Sequence, residues 1–230
     1  EDVTYRFSQW DPKNPGNKYE GTAEQWEIAQ STMQKILDHI GLEYTIGIDE
    51  AAFYGPKLDI QIKNVHGKED TLITIQIDML LAQKFGMEYV DSDGQKKTPY
   101  IIHRTSMGCY ERTLALLLEK YAGALPVWIA PEQVRILPVT DRAHDYSAQL
   151  RKTLKAAGLR AEVDTRSEKI GYKIREAQME KVPFMLVIGD KEVEGGSVAV
   201  RARAAGDLGS MTVEEFLSLI RQKIETYAAD

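Results

Sequence analysis

Two apolar rhythms succeed one another in the first hundred residues. In the run TAEQWEIAQSTMQKILDHIG, residues Trp26, Ala29, Met33, Ile36, Leu37 and Ile40 recur at the helical period and form one stripe. Thr22 and Gln25 are spaced as a capping box and Gly41 supplies a stop, so an amphipathic helix is predicted between them. The runs KLDIQIKNV and TLITIQID alternate with period two. Leu58, Ile60 and Ile62 alternate with Lys57, Asp59, Gln61 and Lys63, and Ile73, Ile75 and Ile77 with Thr74, Gln76 and Asp78. With HGKED as a short turn, these runs predict an antiparallel hairpin with one aliphatic and one polar face. Such a polar face is most often the solvated side of a sheet. Here it offers amides, a hydroxyl and a lysine in place of the long Lys/Glu side chains of a wet surface, which favours the floor of a polar cleft.

The run IIHRTSMGCYERTLALLLEKYAG places His103, Arg104, Glu111 and Arg112 at the head of a leucine-rich helix read from about Ser106. In that reading Gly108, Arg112 and Leu116 share one face, and a guanidinium on an apolar stripe needs an anionic partner. The partner is either a carboxylate, such as Glu111 or one from a neighbouring strand, or a bound anion beside which Gly108 leaves room for a flat ligand. The pattern alone leaves both open.

Beyond AGALPVWIAPEQ, a segment of prolines and small residues that reads as a domain boundary, the pattern changes. Strand QVRILPVT leads to helix AHDYSAQLRKTLKAAG, with Tyr146, Leu150 and Leu154 along one side and Gly158 as its stop. Strand RAEVDTR, helix KIGYKIREAQMEK, the apolar strand PFMLVIGD, an edge strand SVAVRAR and a final helix TVEEFLSLIRQKIETYA follow. This alternation predicts a small α/β domain with a largely parallel sheet, preceded by an α+β domain with an antiparallel sheet. The division is placed at 1–126 and 127–230.

With 43% hydrophobic and 28% charged residues in 230, the chain has the composition of an ordinary globular protein. It contains no apolar run near the roughly 20 residues of a membrane helix and no signal-peptide pattern in EDVTYRFSQW, so a cytoplasmic location without membrane contact is expected. The single cysteine, Cys109, and the absence of a CxxC pair fit a reducing compartment. Of the formal charge of -6, all the excess acid precedes residue 127, with 19 acidic and 13 basic side chains. That balance excludes a non-specific nucleic-acid binder but not a local RNA site. The chain opens at Glu1 in what reads as the middle of a strand, DVTYRFSQ, and is expected to be one piece of a longer protein.

The stretches EAAFYGPKLDI, TIQID, HRTSMGCYER and the long C-terminal VDTRSEKIGYKIREAQMEKVPFMLVIGDKEVEGGSVAVRARAAGDLGSM closely resemble the threonyl-tRNA synthetases, of class II. The resemblance implies the C-terminal part of a class II catalytic domain followed by an anticodon-binding domain, and a threonine–tRNA ligase using ATP with Mg2+ on threonine and tRNA(Thr). HRTSMGCYER resembles motif 3, which implies that Arg112 reaches the adenine ring and γ-phosphate of ATP beside the open position of Gly108. It also implies that His103 is one of three protein ligands to Zn2+, the others lying outside this sequence. Tyr54 and Gln76 match positions that contact threonine or the adenylate, Lys57 a catalytic position and Thr74 one beside ATP. Arg175, Glu192 and Arg201 match positions that read anticodon bases. A homodimer is implied by the same resemblance.

Departures from the family pattern are Thr71 and Ile73, where a glutamine and a glycine are usual, Cys109 for a common serine, and Ser167 where an asparagine is frequent. Motif 2 and motif 1 are not found ahead of Tyr54. Two alternatives follow: a non-catalytic synthetase-like RNA-binding or regulatory protein, and a sibling synthetase for proline, glycine or histidine. Retention of Tyr54, Lys57, Gln76, His103 and Arg112 opposes the first, and AFYGPK with the HR pair ahead of Gly108 opposes the second.

Overall fold

The computed structural model describes residues 3–13 and 18–229. Asp2 of the predicted first strand and residues 14–17 of the predicted Pro/Gly/Asn loop lie outside the described residues. The chain forms two compact units, Glu1–Leu116 and Leu117–Asp230.

The first unit is built on a five-stranded sheet of β1 (Val3–Gln9), β2 (Thr45–Ile48), β3 (Lys57–Lys63), β4 (Glu69–Asp78) and β7 (Ile101–Arg104), in the order β2-β1-β3-β4-β7. Only β1 and β2 run parallel. Helix α1 (Ala23–His39) covers one face, and its N-terminus is held by the expected capping box between Thr22 and Gln25. Trp26, Ala29, Met33 and Leu37 of α1 are buried, the last two against Phe7 and Leu58 of the sheet. Ile36 and Ile40, expected on the same stripe, are exposed: a stripe one residue wide suffices to cover the sheet, and these two stand at its edge. A four-residue helix α2 (Leu81–Lys84) and a small ribbon of β5 (Tyr89–Val90) with β6 (Lys96–Lys97) lie between β4 and β7.

The leucine-rich helix, α3, spans Tyr110–Lys120. It starts later than the reading from Ser106 because Gly108 sits at φ +68, a left-handed conformation that cannot continue a right-handed helix. His103 and Arg104 therefore belong to strand β7, and Gly108 does not share a helical face with Arg112.

The second unit holds a sheet in the order β12-β11-β10-β8-β9, from β8 (Val134–Pro138), β9 (Ala161–Val163), β10 (Phe184–Ile188), β11 (Ser197–Ala202) and β12 (Gly206–Thr212). Two pairings, β10 with β8 and β8 with β9, are parallel; the other two are antiparallel. The sheet is thus mixed rather than largely parallel, and SVAVRAR is internal because β12, unpredicted for its Gly/Asp/Ser content, forms the edge beyond it.

Helices α4 (His144–Ala156) and α7 (Val213–Glu225) pack one face through Leu150, Leu154, Phe216 and Ile220. Helix α5 (Ile170–Met179) packs the other through Ala177, with Leu137 and Met185 beneath it. Burial on both faces explains why PFMLVIG is apolar without alternation. A short helix α6 (Asp190–Gly195) precedes β11, with Gly196 at φ +62 as its C-cap. Among the described residues no helix is long and apolar enough to cross a membrane.

Candidate functional site

Period-two alternation in β3 and β4 puts every second side chain on the sheet face away from α1, and the strand register turns that into transverse rows. Ser8 lies opposite Lys57, Lys57 opposite Gln76, and Gln76 opposite His103, so four polar side chains line up across four strands roughly 4.8 Å apart. A second row holds Arg6, Asp59 and Thr74.

This face is not a solvated one. Asp59 is 2% exposed, accepts a 2.8 Å hydrogen bond from Ser8 Oγ and pairs with Lys57 Nζ through the same Oδ2. Its Oδ1 is buried with no hydrogen-bond partner among the described residues. The pair fixes the Lys57 ammonium against the sheet, where a desolvated charge acts more strongly than in water. At the edge of the row, Arg6 donates twice to Glu50 at 2.5 Å and holds that carboxyl below its ordinary value.

A cleft of about 440 Å³ opens over the other end of the rows, lined by Phe53, Tyr54, Thr74, Gln76, Asp78 and His103 among others. Tyr54 donates its hydroxyl proton to Gln76 Oε1 at 2.5 Å, which leaves the Gln76 amide nitrogen as a donor for a ligand. Burial, and after it the charge of Asp78, push the Tyr54 hydroxyl up, so it stays a donor at neutral pH. His103 Nε2 donates to Asp78 Oδ2 at 2.9 Å, while Asp78 Oδ1 accepts the backbone N–H groups of Leu80 and Leu81 at 2.8 Å each. Burial, the largest influence, pushes the Asp78 carboxyl up, but these hydrogen bonds together outweigh it and hold it below the ordinary carboxylate value.

Four of the sequence-predicted residues, Tyr54, Thr74, Gln76 and His103, share this cleft, and Lys57 stands beside Gln76 on the row. Gly108 and Arg112 are found at another part of β4. The β3–β4 pairing skips Leu72, making a bulge, and Arg112 donates to the Thr71 carbonyl there at 2.7 Å. Of the two partners left open for Arg112, the carboxylate Glu111 takes the Cys109 thiol instead. Nor is Arg112 buried: it is exposed, and α3 has no buried residue among those described.

Zinc was expected at His103. Among the described residues no three His, Cys, Asp or Glu side chains come together as a metal site, and the His103 Nε2 is taken by Asp78. The residues present do not make a zinc site by themselves.

In the second unit the three expected RNA-reading residues stand on three elements. Arg175 is exposed on α5. Glu192 is half-buried and caps α6 by accepting the Gly189 N–H at 2.9 Å. Arg201 on β11 pairs with Asp207 at 3.3 Å, and its Nε is buried without a partner among the described residues. Ser167 lines a polar cavity of about 320 Å³ where β8 and β9 end, together with Thr140, Asp141, His144, Arg166 and Lys169.

Residues missed at the level of pattern are the partners. Asp59 and Asp78 occupy polar positions of the alternation, but a carboxylate there reads as solvated until the strands beside it are known.

Two families match successive parts of the chain. Residues 14–121 match the family described as tRNA synthetase class II core domain (G, H, P, S and T), and residues 133–223 that described as anticodon binding domain. A threonine–tRNA ligase of Clostridium perfringens strain SM101 is 58% identical over 96% of this chain, and one of Clostridium botulinum strain Eklund 17B is 54% identical over 98%. The chain spans about a third of the length of these relatives, 34% and 35%. Among solved structures, the RNA binding domain of threonyl-tRNA synthetase from Cryptosporidium parvum Iowa II superposes with a TM-score of 0.84 at 29% identity, over 96% of this chain and 55% of that one. The two domain types, in this order and at this identity, show that the chain belongs to the threonyl-tRNA synthetase family of class II, as the C-terminal part of the catalytic domain followed by the anticodon-binding domain.

Proposed function

We propose that the chain serves a threonine–tRNA ligase, with residues 1–126 supplying one side of the activation site and 127–230 recognising the anticodon of tRNA(Thr). The observation that carries this reading is the polar row Lys57, Gln76 and His103 beside a cleft that also holds Tyr54 and Thr74. In the reaction the carboxylate of threonine attacks the α-phosphate of ATP bound with Mg2+, and pyrophosphate leaves. The 3′-hydroxyl of the terminal adenosine of tRNA(Thr) then attacks the adenylate carbonyl and AMP leaves.

Neither step needs a protein nucleophile, so the residues act by alignment and by meeting charge on the phosphates. Lys57, clamped by buried Asp59, is a preorganised cation. Gln76, with its oxygen held by Tyr54, offers N–H donors to the amino acid, and Thr74 a hydroxyl to ATP. Arg112 and Gly108 serve the adenine and γ-phosphate end. His103 donates through Nε2 to Asp78, and Nδ1 is the nitrogen that Asp78 does not take. Arg175, Glu192 and Arg201 hold the anticodon bases by hydrogen bonds and stacking. A cytoplasmic homodimer is part of the same proposal.

The test is threonine-dependent ATP–pyrophosphate exchange by the protein expressed from its whole reading frame, with valine and serine as comparison substrates. Exchange selective for threonine is expected. Absence of exchange together with retained binding of tRNA would replace the ligase by a non-catalytic RNA-binding relative.

A further inference from the structure

Lys173 on α5 is 2% exposed, yet among the described residues no carboxylate is its hydrogen-bond partner: Nζ donates to the carbonyl oxygens of Pro138 and Asp164, at 3.1 Å each. Pro138 is the last residue of β8, and Asp164 follows the last residue of β9. The two acceptors therefore mark where two neighbouring parallel strands give way to loops. Those loops wall the 320 Å³ cavity, through Val139, Thr140 and Asp141 on one side and Arg166, Ser167 and Lys169 on the other.

A buried ammonium is costly, and an apolar side chain of similar volume in such a place commonly leaves stability unchanged or raises it. Packing alone thus gives no reason for a lysine. A hydrogen-bonded tie to both loop ends does, because a third element then fixes their spacing. The backbone ladder joins β9 to β8 two residues short of Pro138, where Asp164 N–H donates to Ile136 at 2.9 Å; beyond it each loop has its own contacts, Val139 N–H donating to Ile188 at 2.9 Å and Asp164 taking Arg166 through Nε at 2.9 Å and NH2 at 2.7 Å. Lys173 joins the two.

We propose that Lys173 is a positioning residue, whose buried ammonium pins the ends of β8 and β9 so that loops 139–141 and 165–169 hold a preformed cavity for single-stranded RNA. The RNA part of this inference rests on the anticodon reading above. Preformed walls lower the ordering cost that a ligand would otherwise meet on binding.

The test compares the full chain with Lys173→Met, which keeps volume and removes the donors, and Lys173→Gln, which restores two N–H donors without charge. Binding of an RNA hairpin carrying the tRNA(Thr) anticodon loop is followed by fluorescence anisotropy, and amide exchange by mass spectrometry. Lys173→Met is expected to melt within a few degrees of the unmutated chain, bind about tenfold more weakly, and exchange faster only in the two loops. Lys173→Gln is expected to recover most of the affinity. The proposal is overturned if Lys173→Met binds and exchanges like the unmutated chain, if it fails to fold or loosens the whole C-terminal unit, or if Lys173→Gln restores nothing. An unmutated chain that ignores the hairpin would defeat the anticodon reading instead, and loop exchange would still decide the role of the lysine.

Discussion

A Cβ placed on Gly108 would stand 1.9 Å from the carbonyl oxygen of Leu72. Leu72 is the residue that the β3–β4 ladder skips, so the bulge swings its carbonyl out of the sheet and the turn before α3 closes onto it. Arg112 completes the joint by taking the neighbouring Thr71 carbonyl. Gly108→Ala meets both this clash with backbone and the strain of φ +68. It should lower stability by about 1 to 3 kcal/mol and displace α3. Urea unfolding of the variant at the unmutated midpoint would sink the account.

Arg112 holds a backbone carbonyl rather than a carboxylate, so its charge is not neutralised within the bulge. Arg112→Ala is expected to cost about 2 to 4 kcal/mol of transition-state stabilisation, as loss of one preorganised charge-meeting donor does. Pyrophosphate exchange measures it; an unchanged rate would remove Arg112 from the nucleotide site.

Tyr54 and Gln76 give a finer test, since their hydrogen bond orients an amide without closing the cleft. Tyr54→Phe keeps the ring packed on Phe53 and removes only the hydroxyl. A loss of about 1 kcal/mol follows, seen as a roughly fivefold rise in KM for threonine with ATP binding intact. An equal loss for ATP would mean that the hydroxyl supports the whole cleft rather than Gln76.

The helical stripe of α1, the hairpin faces and the succession of elements in the second unit could be read from the chain because each depends on local period and capping. Ile36 and Ile40 could not be separated from Leu37 that way, since only the width of the covered sheet decides which apolar residues lie inside. The bulge at Leu72 left a trace, since the adjacent apolar pair Leu72 and Ile73 breaks the alternation of TLITIQID, but only the pairing with β3 shows that the break is a skipped residue. In the site, Tyr54, Lys57, Thr74, Gln76 and His103 stood out as polar positions or motif residues. Asp59, Asp78 and Lys173 did not, because their burial comes from strands and loops distant in sequence.

Asp164 ties the second cavity to pH. Hydrogen bonds from Arg166, against the opposing effect of burial, hold its carboxyl below the ordinary value. A group depressed in the folded state stabilises above its unfolded value, about 3.9, and that contribution is lost as pH falls through the lower folded value. Asp164→Asn should therefore be less stable than the unmutated chain at neutral pH, by about 1 to 3 kcal/mol, with the gap closing below about pH 4. Thermal melts of both proteins between pH 7 and pH 3 test this, and a gap independent of pH would mean that the carboxylate charge is not what Arg166 needs.

Arg201 is the residue through which the two halves of the proposed activity can be separated. Its NH1 reaches Asp207 at 3.3 Å and its Nε is buried, while the side chain is 31% exposed, so it is the exposed end of the planar guanidinium that can meet a base or phosphate. Arg175 is exposed on α5 and free of structural work in the core. In the proposed function threonine activation falls to residues of the first unit, so Arg201→Ala and Arg175→Ala should leave pyrophosphate exchange unchanged. Aminoacylation should fall through a higher KM for tRNA, by on the order of tenfold for a lost stacking or charged contact of 1 to 3 kcal/mol. Rates of exchange and of charging measured on the same preparations decide it: a parallel fall in both would mean that these arginines support the enzyme as a whole and do not read the anticodon.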